Sequence, residues 1–130
     1  MLKDDFFFIQ SVNDDHGVIS AMLEINPLHK IFEGHFPGQP VVPGVCMMEM
    51  IKEVTETVTG REMFLQRADS IKFLSVIDPN INRNVQARIK YVDIENNLIE
   101  FEATLFKEDI IYLKFKGEFV AEYLITAEIA

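Results

Sequence analysis

Gly34-His35-Phe36-Pro37-Gly38-Gln39-Pro40-Val41-Val42-Pro43-Gly44-Val45-Cys46-Met47-Met48-Glu49-Met50-Ile51-Lys52-Glu53 is the stretch whose reading decides the fold. Prolines stand at 37, 40 and 43. Each fixes its own φ and biases the residue before it toward extended backbone, so residues 36–42 read as a stiff, extended lead-in. Pro43 suits the first turn of a helix, where its missing N–H is not needed. From Val45 to Ile51 the residues are apolar around every face, the pattern of a helix buried on all sides, with one carboxylate, Glu49, among them. The helix is expected over residues 43–59, with Gly60 as its stop. In its second half Lys52, Glu53 and Glu56 are expected on an exposed side, and Val54 and Val58 inside.

His35 and Glu49 give this stretch its chemistry. Glu49 on its own reads equally as a surface carboxylate or as a buried one. Burial raises a carboxyl pKa above its ordinary value of about 4.3, because the charged form loses its water. A histidine, with a pKa of about 6.5, is already suited to proton transfer near neutral pH. The pair can therefore supply a base and an acid. Gly44 adds a third element. Its N–H lies in the first helical turn, has no intrahelical partner and sits at the positive end of the helix dipole, where it can polarise a carbonyl oxygen. Base, acid and oxyanion donor are what β-elimination beside a thioester carbonyl requires.

His35-Phe36-Pro37-Gly38-Gln39-Pro40-Val41-Val42-Pro43-Gly44-Val45-Cys46-Met47-Met48-Glu49 resembles the signature of the FabZ-type 3-hydroxyacyl-acyl-carrier-protein dehydratases, of the FabA/FabZ hot-dog family. The FabA type is similar but has aspartate where this chain has Glu49. Weaker resemblance extends to Asn26-Pro27, Phe32, Ser70-Ile71-Lys72-Phe73 and Pro79. It implies an α+β hot-dog fold: a long central helix wrapped by an antiparallel sheet of about six strands. It also implies a homodimer in which His35 of one chain faces Glu49 of the other, with Gly44 N–H as carbonyl donor and Val45 N–H close by. Phe36, Pro43 and Met48 are assigned to the substrate-binding surface. The implied activity is dehydration of a 3-hydroxyacyl thioester on acyl carrier protein, with no metal or organic cofactor, because the thioester itself acidifies the α-proton. This chain departs from the family by lacking a Leu-Pro-His-Arg-like stretch near its N-terminus, by Glu53 where glutamine is common, and by Asp78-Pro79-Asn80 for the usual Pro-Gly-Asp turn.

Two rivals stand beside this reading. One is another hot-dog thioester enzyme, a thioesterase or an enoyl-CoA hydratase. The other is a catalytically silent acyl-binding subunit, against which His35 and Glu49 argue. Chain reach also bears on the dimer. Held extended from His35 to Pro43, the backbone spans up to about 26 Å. The helix then advances about 9 Å to Glu49. Unless the chain doubles back, which Gly34, Gly38 and Gly44 permit, the two residues are too far apart to share a substrate within one chain.

Composition sets the outer bounds. The 130 residues fit one domain over 1–130. A net charge of −9 argues against a nucleic-acid partner. Docking an acidic carrier protein then needs a local basic patch, for which Lys72, Arg83, Arg88 and Lys90 are candidates. No apolar run reaches the roughly 18 residues of a membrane span, and Phe6-Phe7-Phe8-Ile9 is too short for a signal peptide. Cys46 is the only cysteine, so no intrachain disulfide forms, which fits a reducing cytoplasm. It has no evident base and is not read as a nucleophile.

The remaining chain reads as β structure. Strands are expected at 5–12 and 18–26, the second with Ile19, Ala21, Leu23 and Ile25 on one face, joined by a turn cluster at 13–17 that is not read as a metal site. Residues 27–34 read as a loop with His29 at the surface. One or two strands follow at 63–77, then strands at 84–94, 98–107 and 110–124. Asn96-Asn97 suits a positive-φ turn, and Lys114 and Lys116 alternate with Leu113 and Phe115, toward solvent. Met47, Met48 and Met50 read as core filler before a lipid pocket.

Overall fold

The computed structural model describes residues 1–34, 38 and 40–123. In chain order these form β1 (Phe7–Asp15), β2 (Val18–Ile25), a one-turn helix α1 (Ile31–Gly34), the long helix α2 (Gly44–Thr59), β3 (Arg61–Phe73), β4 (Asn84–Asp93), β5 (Leu98–Lys107) and β6 (Ile110–Tyr123). The six strands make one antiparallel sheet in the order β1-β2-β4-β5-β6-β3. Hairpins join β1 to β2, β4 to β5 and β5 to β6. The turns use the left-handed backbone that Asn and Gly tolerate: His16-Gly17 at φ 53 and 89, and Asn96-Asn97 at φ 61 and 60.

Period-two alternation decides which face each strand buries. Ile19, Ala21, Leu23 and Ile25 of β2 point inward, as do Val85, Ala87 and Ile89 of β4 and Ile99, Phe101, Ala103 and Leu105 of β5. Phe101 stacks on Phe119 at 4.1 Å between centroids and meets Phe115 edge-on at 4.8 Å. Helix α2 lies against this face through Cys46, Met47, Met50, Ile51 and Val54, all buried. Each such side chain contributes about 1.5–3 kcal/mol by leaving water. Gly60, at φ 69, ends the helix by donating to Glu56 O at 2.8 Å, and β3 begins at the next residue.

Several expectations need correction. Helix α2 is not buried all round: Val45 is 72% exposed, and Met48 and Glu49 are half-buried. Nor is Glu53 on an exposed side, since it is 1% exposed. The cause is a segment the periodicity could not place: Leu2 and Lys3 cross the helix there and cover it. Residues 27–34 contain a helical turn, and β1 runs on through most of the expected turn cluster to Asp15. The 63–77 region is one strand, starting earlier and ending at Phe73. His29 is largely enclosed: Ile31 N–H donates to its Nδ1 at 3.1 Å, Asp5 Oδ2 lies 3.1 Å from Nε2, and Phe6 packs on its ring.

Strand β3 shifts register twice against β6, between Leu65 and Arg67 and between Ala68 and Ser70. Between these shifts its backbone closes on Gly117, where an added Cβ would stand 2.2 Å from Arg67 O. Only a residue without a side chain fits a backbone approach this tight. Gly117→Ala is therefore expected to destabilise the protein by about 1–3 kcal/mol through overpacking. A urea midpoint at fixed protein concentration checks this, and an unchanged midpoint would refute it.

Candidate active site

The lead-in to α2 is fastened to the sheet side by Val42, which is buried and donates its N–H to Ile77 O at 2.9 Å. Pro43 follows at φ −60 and ψ 144, the extended backbone of a helix N-cap. Its carbonyl accepts from Cys46 N at 3.0 Å and Met47 N at 3.2 Å. That leaves the N–H groups of Gly44 and Val45 without an intrahelical acceptor, at the positive end of a 16-residue helix. Gly44 is constrained from outside as well. Phe73, at the end of β3, lays its ring so close that a Cβ on Gly44 would stand 2.7 Å from Phe73 Cζ. A cleft of about 450 Å³ opens here, walled by Val41, Pro43, Gly44, Met47, Phe73 and Val76.

Glu49 stands one turn beyond Val45 on the same, open face of α2, with Met48 and Lys52 beside it. Gly44 is five residues back, about 140° around the helix. Within one chain, Glu49 accordingly borders a different cleft, of about 370 Å³, shared with Met1, Lys3, Lys52, Glu53 and Phe64. Burial pushes the Glu49 carboxyl up, and a hydrogen bond with Glu53 pushes it further, to about 7. Lys52 Nζ, 3.4 Å from Glu49 Oε2, pulls the other way but is outweighed. Glu53 moves oppositely. Burial pushes it up, but the bond from Glu49 and the backbone N–H groups of Leu2 and Lys3 outweigh that, and the net direction is down. The two shifts run in opposite directions, which favours Glu49 as the protonated member of the pair. Burial and the nearby Glu49 both push the Cys46 thiol up, which makes a poor nucleophile.

Of the site residues expected from sequence, His35 and Phe36 lie outside the described residues. Gly44 and Val45 stand at the helix start, Pro43 is its cap, and Met48 is half-buried on the open face with Glu49. The four basic candidates divide. Lys72, Arg88 and Lys90 come together on the outer face of the sheet, where Lys114 and Lys116 join them. Arg88 pairs with Thr104, Thr104 with Lys114, and Lys114 with Lys72; one row along, Lys90 pairs with Glu102, Glu102 with Lys116, and Lys116 with Ser70. Five cations and one acid thus share two neighbouring rows of a chain whose net charge is −9. Arg83 precedes β4 and is not part of this surface.

Sequence reasoning missed four residues here. Glu53 was findable, since i, i+4 spacing from Glu49 puts both carboxyls on one helix face. The alternation that sent Lys114 and Lys116 to solvent was legible, but their meeting with Lys72 needs the strand order. Phe73 against Gly44 is a contact between distant residues with no local signal.

A family model described as ApeI-like, ApeI dehydratase, matches residues 10–114. The 3-hydroxyacyl-[acyl-carrier-protein] dehydratase FabZ of Rickettsia bellii (strain OSU 85-389) is 30% identical over 124 residues, covering 89% of this chain and 79% of that protein. That of Shewanella woodyi is 33% identical over 113 residues, covering 85% and 70%. Among solved structures, the dehydratase heterocomplex ApeI:P from Xenorhabdus doucetiae superposes with a TM-score of 0.63 at 20% identity, over 87% of this chain and 96% of that one. A thioesterase from Haemophilus influenzae gives 0.61 at 11%, over 92% and 80%. These likenesses and the single long helix on an antiparallel sheet make the fold a hot dog.

The raised Glu49 carboxyl has a consequence for stability. Its folded value, about 7, lies above the ordinary 4.5, so between these pH values the folded chain holds a proton that the unfolded chain has released. Stability from this group is complete below about pH 4.5 and declines as pH rises through 7. Glu53, shifted down, acts oppositely and below that window. Glu49→Gln is expected to remove a decline of about 1–2 kcal/mol between pH 5 and 8, allowing for solvent screening at a partly exposed group. Urea midpoints measured across that range in both proteins test this, and parallel slopes would refute it.

Proposed function

Because the chain belongs to the ApeI-like dehydratase family, we propose that it removes water from a 3-hydroxyacyl thioester carried on acyl carrier protein, giving the trans-2-enoyl thioester for fatty-acid or related lipid synthesis. The observation that carries this reading is the presence on one helix of two N–H groups without intrahelical acceptors, at Gly44 and Val45, and of a partly buried carboxyl, Glu49, pushed up to about 7. The Gly44 and Val45 N–H groups hold the thioester oxygen as enolate character develops. His35 takes the α-proton. The electrons of that C–H bond form the new double bond while the β C–O bond breaks, and the hydroxyl leaves with the Glu49 proton as water. A carboxyl near 7 is matched to delivering a proton at neutral pH. Phe36, Pro43 and Met48 border the acyl chain, and the ring of Phe73 stands at the carbonyl site.

A second hot-dog chain completes the site. The inward row of the sheet runs on into β3 as Leu65, Ile71 and Phe73, which remain exposed, as do Val45, Leu74 and Val76 nearby. Strand β3 is also an edge, with one side of its backbone unpaired within the sheet. A two-fold partner along this edge covers both the apolar row and the backbone. We take the partner to be a second copy; the Xenorhabdus doucetiae heterocomplex supports a related chain as the rival arrangement.

The outer-face cations suit an acidic carrier, because like charges over the rest of the surface discourage docking elsewhere. The test is to supply 3-hydroxyacyl thioesters on carrier protein and on pantetheine and to follow enoyl absorbance. Enoyl thioester is the expected product, with rates on the carrier falling as salt rises and rates on pantetheine much less affected. His35→Ala is expected to lose about 100-fold or more. Release of free thiol without enoyl absorbance would instead make the protein a thioesterase.

A further inference from the structure

Glu53 is the most completely buried charged side chain among the described residues, and the reaction does not use it directly. Burying a carboxylate is costly unless its oxygens are satisfied. Here they are satisfied by backbone. Leu2 N–H donates to both carboxylate oxygens, at 3.0 and 2.9 Å, and Lys3 N–H donates to Oε1 at 2.7 Å. Neither donor can titrate or swing away. The segment that carries them is itself fixed: Phe6 N donates to Leu2 O at 2.7 Å, Asp4 N donates to Phe7 O at 2.7 Å, and Phe6 is fully buried. Charge-assisted bonds of this kind favour the ionised acceptor. Glu53 also shares a hydrogen bond with Glu49, the next turn back on α2, and the two line one cleft.

We propose that Glu53 is a positioning residue: a carboxylate pinned by the backbone of Leu2 and Lys3, it takes the hydrogen bond of Glu49 and so keeps Glu49 loaded as the proton donor. Two carboxyls in contact cannot both be ionised at low cost, so one of them holds a proton. The N-terminal segment decides which one, because it serves only Glu53. The groups facing the pair agree with this assignment. On α2, Lys52 lies beside Glu49 but is itself partly exposed, and Glu56 is turned away to accept from Met63 N at 2.8 Å. On the N-terminal segment, the Met1 amino group borders the same cleft and favours an ionised Glu53, and Lys3 Nζ pairs with Asp4 at 3.7 Å. On β3, Arg61 pairs with Asp93 at 2.7 Å, and Glu62 borders the far side of the cleft. The Cys46 thiol is neutral. The glutamine common at this position in FabZ-type chains could offer its N–H₂ to an ionised acid. Glu53 can offer Glu49 only an acceptor, which demands the protonated form.

This inference rests on the reading of Glu49 as the acid, but its test does not. In protein labelled with ¹³C at glutamate side-chain carboxyls, Glu49 is assigned by its loss in Glu49→Gln and then titrated. The wild-type midpoint is expected near 7. In Glu53→Gln it is expected to fall by about one pH unit or more, because the amide replaces an acceptor with a donor. The alkaline limb of kcat is expected to move down by the same amount. Leu2→Pro is a second variant that removes a pinning N–H and leaves both carboxyls in place; the proton is expected to pass toward Glu53 and the Glu49 midpoint to fall. A Glu49 midpoint unmoved in both variants would overturn the proposal. Absence of enoyl product from the wild type would strike the dehydration reading and leave the midpoints where they are.

Discussion

One helix packs on one face of a six-stranded sheet, and it is too narrow to cover that face. A helix with its side chains is about 10–12 Å across, while six strands at about 4.8 Å extend more than twice as far. Helix α2 therefore covers only part of that face: Met63 at the start of β3 is buried, while Leu65, Ile71 and Phe73 farther along the same strand stay exposed, Phe73 at 51%. The consequence reaches the chemistry. The side of α2 turned away from the sheet carries Val45, Met48, Glu49 and Lys52. An uncovered helix face, an uncovered apolar row and an unpaired strand edge lie together, and the proposed partner chain would cover all three at once.

Electrostatics at the helix follow from the same geometry. A helix enclosed all round would leave Glu49 no route to a substrate, and a solvated helix would leave it an ordinary carboxylate. The half-covered helix does neither. Its second turn gives Glu49 partial burial, and the crossing N-terminal segment buries Glu53 behind it. The N-terminal residues, which contribute little to the sheet, thereby supply the backbone donors of the carboxyl next to Glu49.

Much of this was legible in the sequence because it is written locally. Proline spacing, the apolar run and Gly60 mark α2 to within a residue. Period-two alternation in β2, β4 and β5 names the core residues, and Asn96-Asn97 marks its turn by left-handed backbone. What was not legible depends on residues distant in sequence. Periodicity put Glu53 in solvent because the covering residues are about 50 positions away. The apolar faces of Val45 and Glu49's turn were read as buried because they are apolar, and that inference does not distinguish burial within a chain from burial against a partner. Lys72 could be tied to Arg88 and Lys90 by nearness in sequence, but only strand order adds Lys114 and Lys116 between them. His35 and Phe36 lie outside the described residues, and their places in the site rest on the sequence.

The central claim is that two chains build each site, His35 from one and Glu49 from the other. Mixing His35→Ala protein with Glu49→Gln protein under conditions that exchange subunits tests it directly. A mixed dimer then holds one site with both lesions and one with neither. With random exchange half the dimers are mixed, and about a quarter of wild-type activity is expected to return. Exchange verified by mass, with activity no higher than that of either variant alone, would contradict the account and place His35 and Glu49 of each site within a single chain.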